Sequence, residues 1–184
     1  MEQTTQTHTA KHDQSIALKI ALAAIFAALV AVATLVFVIP IPATSGYFNL
    51  GETLIYVAAL LFGPLVGAVA GAGASIADVL VAAQYAPGTF TIKAIEGYLV
   101  GTINKRLYKK TKRFALSASI AVIIGGLEMV LGYFLYETLA LGYPVVLALA
   151  EVPVNIVQML VGLVVAVPVS LAILRVFPQL KSYI

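Results

Sequence analysis

Among the 184 residues there is no cysteine and no tryptophan, and charged residues make up only 10% of the chain. The only histidines, His8 and His12, lie in the polar opening stretch MEQTTQTHTAKHDQS. Each scarcity removes a class of chemistry. Without cysteine there are no disulfides and no thiolate metal sites, and without a histidine in the apolar body there is no imidazole base inside it. No HExxH, GxSxG or nucleotide-cradling GxxxxGK[ST] pattern occurs, so the usual metalloprotease, serine-hydrolase and ATPase signatures are missing. The expectation is a protein that is not an enzyme, holds no cofactor or metal, and cannot drive uptake with ATP unaided.

What the chain has in quantity is apolar surface. Hydrophobic residues make up 61% of it and its mean hydropathy is +1.03, far outside the range of ordinary soluble domains. Runs of about 20 apolar residues can each cross a hydrocarbon core of roughly 30 Å. The pattern predicts spans at 16–38, 50–63, 65–84, 88–106, 115–136 and 147–175. The expected fold class is therefore an all-α membrane protein, a six-transmembrane-helix bundle, multi-pass in the cell (plasma) membrane. Residues 1–15 read as a disordered polar tail, too polar for the n-region of a cleaved signal peptide, and residues 16–184 as one transmembrane domain.

The net charge of +3 is not a nucleic-acid signature, because of where the charges fall. Lys105, Arg106, Lys109, Lys110, Lys112 and Arg113 fall at or in the predicted fourth-to-fifth connection, which the positive-inside rule places in the cytoplasm. Both termini are then cytoplasmic too, with Lys11 and Lys19 before or at the start of the first span and Arg175 and Lys181 at or after the last. The eleventh basic residue, Lys93, is alone toward the outside. The acids run the other way: Glu52, Asp78, Glu96, Glu128, Glu137 and Glu151 all map within spans or on outer connections.

Polar residues inside the spans follow helical spacing. Lys93 and Glu96 share a face near the outward start of the fourth span, where the helix dipole disfavours a cation. They read either as a ligand or ion site or as a snorkelling lysine with a structural acid. In AEVPVNIVQMLVG, Glu151, Asn155, Gln158 and Gly162 fall at i, i+4, i+7 and i+11, a stripe that must face away from lipid. Pro153 frees the Leu149 carbonyl beside it. The fifth span adds Gly125, Glu128, Gly132 and Tyr136 on one face, with Tyr133 next to it. The connection PIPATSGYFNLGET carries Tyr47, Phe48 and Asn49, either an aromatic belt at the interface or a cover over a site. These groups fit an outward pocket lined by aromatics and a few placed polar side chains better than a continuous pore. Ala17, Ala21, Ala24, Ala28 and Ala31 make one face of the first span flat, for packing within the chain or for docking a separate membrane subunit. Gly63, Gly67 and Gly71 read as internal packing.

The segments FNLGETLIYVAALLFGPLVGAVAGAGASIADVL, YAPGTFTIKAIEGYLVG and EVPVNIVQMLVG, with Ala24 and Ala28 matching an AxxxA signature in AIFAA, resemble the substrate-binding S components of energy-coupling factor (ECF) vitamin transporters, riboflavin-type subfamily. The resemblance covers nearly the whole chain after the tail. It implies a six-helix substrate-binding domain that captures a vitamin or vitamin precursor from outside, associates with a shared ECF transmembrane subunit and two ATPase subunits, and topples in the bilayer to release its load. It implies a pocket drawn from Lys93, Glu96, Tyr133, Asn155, Gln158 and the Tyr47–Asn49 loop, and a docking surface at Ala24 and Ala28. Glu151 and Glu128 complete the candidate set from their place on the same helices. A flavin needs stacking aromatics, few of which stand in the outer half, so the expected ligand is a small polar heterocycle or vitamin with riboflavin as one candidate. The alternative function is a stand-alone proton- or sodium-coupled small-molecule transporter using Glu96, Glu128 and Glu151. A third is a structural membrane subunit without a ligand.

Overall fold

Long apolar runs broken by Pro, Gly and turn-forming residues become six α-helices in the computed structural model: α1 (Glu2–Val36), α2 (Gly51–Phe62), α3 (Pro64–Val81), α4 (Ala86–Thr111), α5 (Phe114–Leu139) and α6 (Val145–Val176). The model describes the backbone of residues 2–42, 44 and 46–184, and side chains from residue 16 within that set. The side chains of the polar tail expected at 1–15 thus lie outside the described residues. Between α1 and α2 a small antiparallel hairpin pairs β1 (Ile39–Pro40) with β2 (Tyr47–Phe48), Ile39 opposite Phe48 and Pro40 opposite Tyr47. A short 3-10 helix, Pro178–Ser182, follows α6.

The helices carry large apolar side chains outward, among them Ile25, Val32, Val69, Leu131 and Val164. That surface suits lipid, since a water-soluble monomer rarely exposes so broad an apolar area. Ile16–Val36 of α1, α3, α5 and α6 are each long and apolar enough to cross a membrane by themselves. Two helices depart from that pattern. α2 has only 12 residues, about 18 Å of helix, and α4 is amphiphilic because Lys93, Glu96 and its basic end lie within it.

The sixfold division expected from the sequence holds, with shifts at the ends. The fourth span does not stop near 106: α4 continues to Thr111, so Lys105, Arg106, Lys109 and Lys110 belong to a helix and the connection shrinks to Lys112 and Arg113. Lysine and arginine are good helix formers, and a basic last turn complements the negative end of the dipole. Lys112 closes the helix with a left-handed φ of 56°. Gly63 does not belong to the glycine face of the third helix. It is the single residue joining α2 to α3, at φ 87°, where glycine adopts the conformation without steric cost.

α3 and α4 meet through small residues. A side chain at Gly67 or Gly71 would strike the α4 backbone, and one at Gly97 or Gly101 would strike the α3 backbone. Two four-residue glycine spacings, one per helix, bring the backbones together as small-xxx-small pairs do in membranes. This seam fixes the axial position of α4. The apolar core then fills the half of the bundle around Leu60, Val100, Ala121 and Ala166. At that end Phe62 and Tyr183 pack edge to face, ring centroids 6.1 Å apart, and the Lys105 ammonium donates to the Tyr183 carbonyl at 3.3 Å.

Candidate functional site

The shortness of α2 creates the site. Glu52 in its first turn meets Lys93 and Gln158, which stand about two turns into α4 and nearly four turns into α6. α2 therefore begins well below the ends of its neighbours, and the described residues of the hairpin segment (37–42, 44 and 46–50) dip in to fill the space above it. Irregular backbone at such depth is tolerated only where it is buried in protein or lines a cavity. Here it roofs a cavity lined by Thr34, Asp78, Thr89 and Tyr133 among others, at the end of the bundle opposite the basic turns of α4.

The floor of the cavity is ionic. Lys93 is 3% exposed; its ammonium is paired with the Glu52 carboxylate and lies 3.4 Å from Glu96 Oε2. Tyr56 donates its hydroxyl to Glu96 Oε1 at 2.9 Å, and Gln158 Nε2 donates to Glu52 Oε2 at 3.3 Å. The same ammonium stands 5.6 Å from the centroid of the Tyr133 ring, within cation–π reach. A charge taken out of water is tolerated only when paired and hydrogen-bonded, and this network supplies both. Glycines make it possible: the Tyr56 ring passes where a side chain at Gly162 would stand, and a side chain at Gly126 would strike Met159 and the Tyr56 hydroxyl.

The roof is held by the hairpin. Thr44 donates its hydroxyl to Glu151, and its carbonyl accepts from Tyr143 at 3.2 Å and lies 3.3 Å from the Tyr85 hydroxyl. Tyr85 also lies 3.2 Å from Glu137 Oε1. Tyr47 donates to Asp78; burial first, and the Asp78 carboxylate next, push its phenol pKa well above the usual value and keep it a neutral donor. The Asn49 N–H donates to Gln158 Oε1 at 3.0 Å, tying the roof to the floor. About 40 Å³ remains free within the cavity, room for about one water and less than an organic ligand fills.

Of the candidate residues, Lys93, Glu151, Asn155, Gln158, Tyr133, Tyr47 and Asn49 line this cavity. Lys93 does not snorkel; it turns inward to Glu52, which answers the unfavourable dipole. Glu96 lies behind Lys93 and is fully buried, a group that positions the lysine rather than a lining group. Glu128 is not part of the lining. Gly125 packs on Val100 and the Glu96 carbonyl and Gly132 on Ile92, so Glu128 between them is level with Lys93 and Glu96 but outside the cavity's lining. Tyr136 is also turned away, donating to the Gln84 carbonyl at 2.8 Å. The stripe Glu151, Asn155, Gln158 and Gly162 is buried along one face of α6.

Sequence reasoning did not place Glu52, Asp78, Tyr85, Thr44 and Glu137 in the site. The signal for three of them is present, because every acid outside the tail falls in the apolar body or its outer connections. On α1, Ala17, Ala21, Ala24 and Ala28 are exposed. Ala31 is buried. The flat face is thus four alanines long.

A family model described as "ECF-type riboflavin transporter, S component" matches residues 15–175. A protein of Pyrococcus woesei described as an "uncharacterized protein in gap 3' region" is 41% identical over 105 residues, 56% of this chain and 68% of that one. Two solved structures share the fold. One, reported as the structure and mechanism of the S component of a bacterial ECF transporter, has a TM-score of 0.59 at 19% identity, covering 90% of this chain and 96% of its own. The other, ThiT from Listeria monocytogenes, has a TM-score of 0.62 at 21% identity, covering 90% and 98%.

Proposed function

The chain belongs to the family of ECF-type riboflavin transporter S components, and on that premise we propose that it captures a water-soluble vitamin or vitamin precursor at the polar pocket, facing outside. It is the substrate-binding membrane subunit of a vitamin transporter and not an enzyme. The observation that carries the proposed site is the chain of contacts from roof to floor. Asn49 in the hairpin holds Gln158, Gln158 holds Glu52, and Glu52 holds Lys93. A ligand entering beneath the hairpin meets Gln158, Asn155, Lys93 and Tyr133, exchanging the roof's hydrogen bonds for its own. Tyr47, Asn49 and Glu151 then close over it. The outward orientation is supported by the basic turns of α4 at the opposite end, which the positive-inside rule assigns to the cytoplasm.

Uptake in this reading is driven by separate ECF transmembrane and ATPase subunits. The exposed face of Ala24 and Ala28 is the surface on which the transmembrane subunit docks, since small side chains let helices approach closely. Two experiments test the proposal. Native mass spectrometry of the purified chain against a vitamin panel, riboflavin included, is expected to show one ligand bound without ATP; no binder across the panel would overturn the reading. Ala24→Leu is expected to leave that binding intact and to reduce co-purification with the ECF transmembrane subunit. Unimpaired assembly would remove the docking assignment.

A further inference from the structure

The charges of the pocket do not balance. Among the described residues, Glu52, Asp78, Glu96, Glu137 and Glu151 lie in its lining or its floor, against the single cation Lys93. Lys93 is committed to Glu52 and Glu96. On the other side of the cavity Asp78, Glu137 and Glu151 are held only by hydroxyl groups, from Tyr47, Tyr85 and Thr44 respectively. Glu137 is 1% exposed and lines the cavity, and its Oε2 has no hydrogen-bond partner. Glu137 and Glu151 are joined through the hairpin, since Tyr85 reaches both Glu137 and the Thr44 carbonyl while the Thr44 hydroxyl holds Glu151.

A buried carboxyl without a counter-charge holds a proton rather than stay ionised, and an entering cation that displaces this proton gains a carboxylate partner out of water. A divalent metal does not fit: among the described residues no three His, Cys, Asp or Glu side chains gather closely enough to hold one. Acids spaced around a cavity suit an organic cation, whose charge is spread over several atoms or N–H groups. The amides Asn155 and Gln158 suit the uncharged, hydrogen-bonding end of such a molecule.

We infer that the ligand is a cation, a protonated amine or a positively charged nitrogen heterocycle, with its charged end between Glu137 and Glu151. This rests on the vitamin-capture reading and narrows it, since a neutral flavin or a vitamin carboxylate leaves the acids unanswered.

Isothermal titration of the full chain in nanodiscs tests it, with thiamine, pyridoxamine and N-methylnicotinamide as cationic probes, riboflavin as the neutral probe, and biotin and pantothenate as anions. The tightest binder is expected to be a cation. Glu137→Gln and Glu151→Gln are each expected to weaken that binder about thirtyfold, the loss seen when one partner of a buried charge pair is removed. Glutamine keeps an oxygen for Tyr85 or Thr44, so the hairpin contacts survive, and the wild-type ranking stands as a test even if a variant misfolds. A neutral or anionic tightest binder, or a cation indifferent to both substitutions, overturns the inference and leaves vitamin capture standing. No binding by any probe removes both.

Discussion

The two ends of α4 carry lysine under opposite conditions. Near its start, Lys93 is buried and joins α2 and α4 through Glu52 and Glu96. At its end, Lys109 and Lys110 are exposed and, among the described residues, form no salt bridge. The difference lies in solvation. An ammonium at the basic end keeps water or headgroups around it and contributes a small dipole term. An ammonium withdrawn from water requires partners on several elements, so Lys93 sets the relative positions of the helices that supply them.

The sharpest way to break that comparison is Lys93→Met. It leaves Glu52 and Glu96 buried without a cation, and breaking a buried pair from one side costs about 3–5 kcal/mol. Thermal denaturation in nanodiscs is expected to show this loss, together with loss of vitamin binding. Adding Glu52→Gln removes one orphaned charge and is expected to restore part of the stability while binding stays absent. A single variant that melts like the wild type would show that Lys93 does not organise the floor.

How far this was legible in the sequence follows from the range of each signal. Hydropathy runs marked the helices because lipid imposes length and apolarity on four of them separately, and the apolar stretches between the turn-formers marked the other two. Helical spacing put Glu151, Asn155 and Gln158 on one buried face for the same local reason. Depth is a different quantity. Lys93 pairs with Glu52 only because α2 starts low and the hairpin fills the gap above it, a relation between segments 41 residues apart. Glu128 shows the limit of face patterns: it lies on a polar-looking face of α5, level with Lys93 and Glu96, yet it does not line the cavity. Hydropathy ends the fourth span at 106 because it registers the loss of apolar residues, not the end of a helix, which runs to Thr111.

A middle-sized effect isolates the coupling of roof to floor. Gln158→Ala removes the acceptor of the Asn49 N–H and a donor to Glu52 without introducing a charge. The expected loss is about 1–2 kcal/mol, the range for one or two hydrogen bonds, with ligand affinity reduced by about an order of magnitude. Hydrogen exchange gives the specific readout, because the Asn49 amide should exchange faster while amides around Leu60 and Val100 keep their protection. Unchanged exchange at Asn49 would separate the hairpin from the floor.

The smallest effect belongs to the other end of the helix. Lys109→Ala with Lys110→Ala removes two exposed charges from the last turn, where alanine is itself a good helix former. Lys105, Arg106, Lys112 and Arg113 remain at the same end, so the charge bias that orients the chain persists. The melting temperature is expected to move by no more than about 2 °C, and ligand affinity, read at the far end of the bundle, to stay within experimental error. Were the double alanine variant to lose binding as Lys93→Met does, the two ends of α4 would be coupled through the helix. The distinction between a lysine that organises a pocket and lysines that orient a helix would then fail.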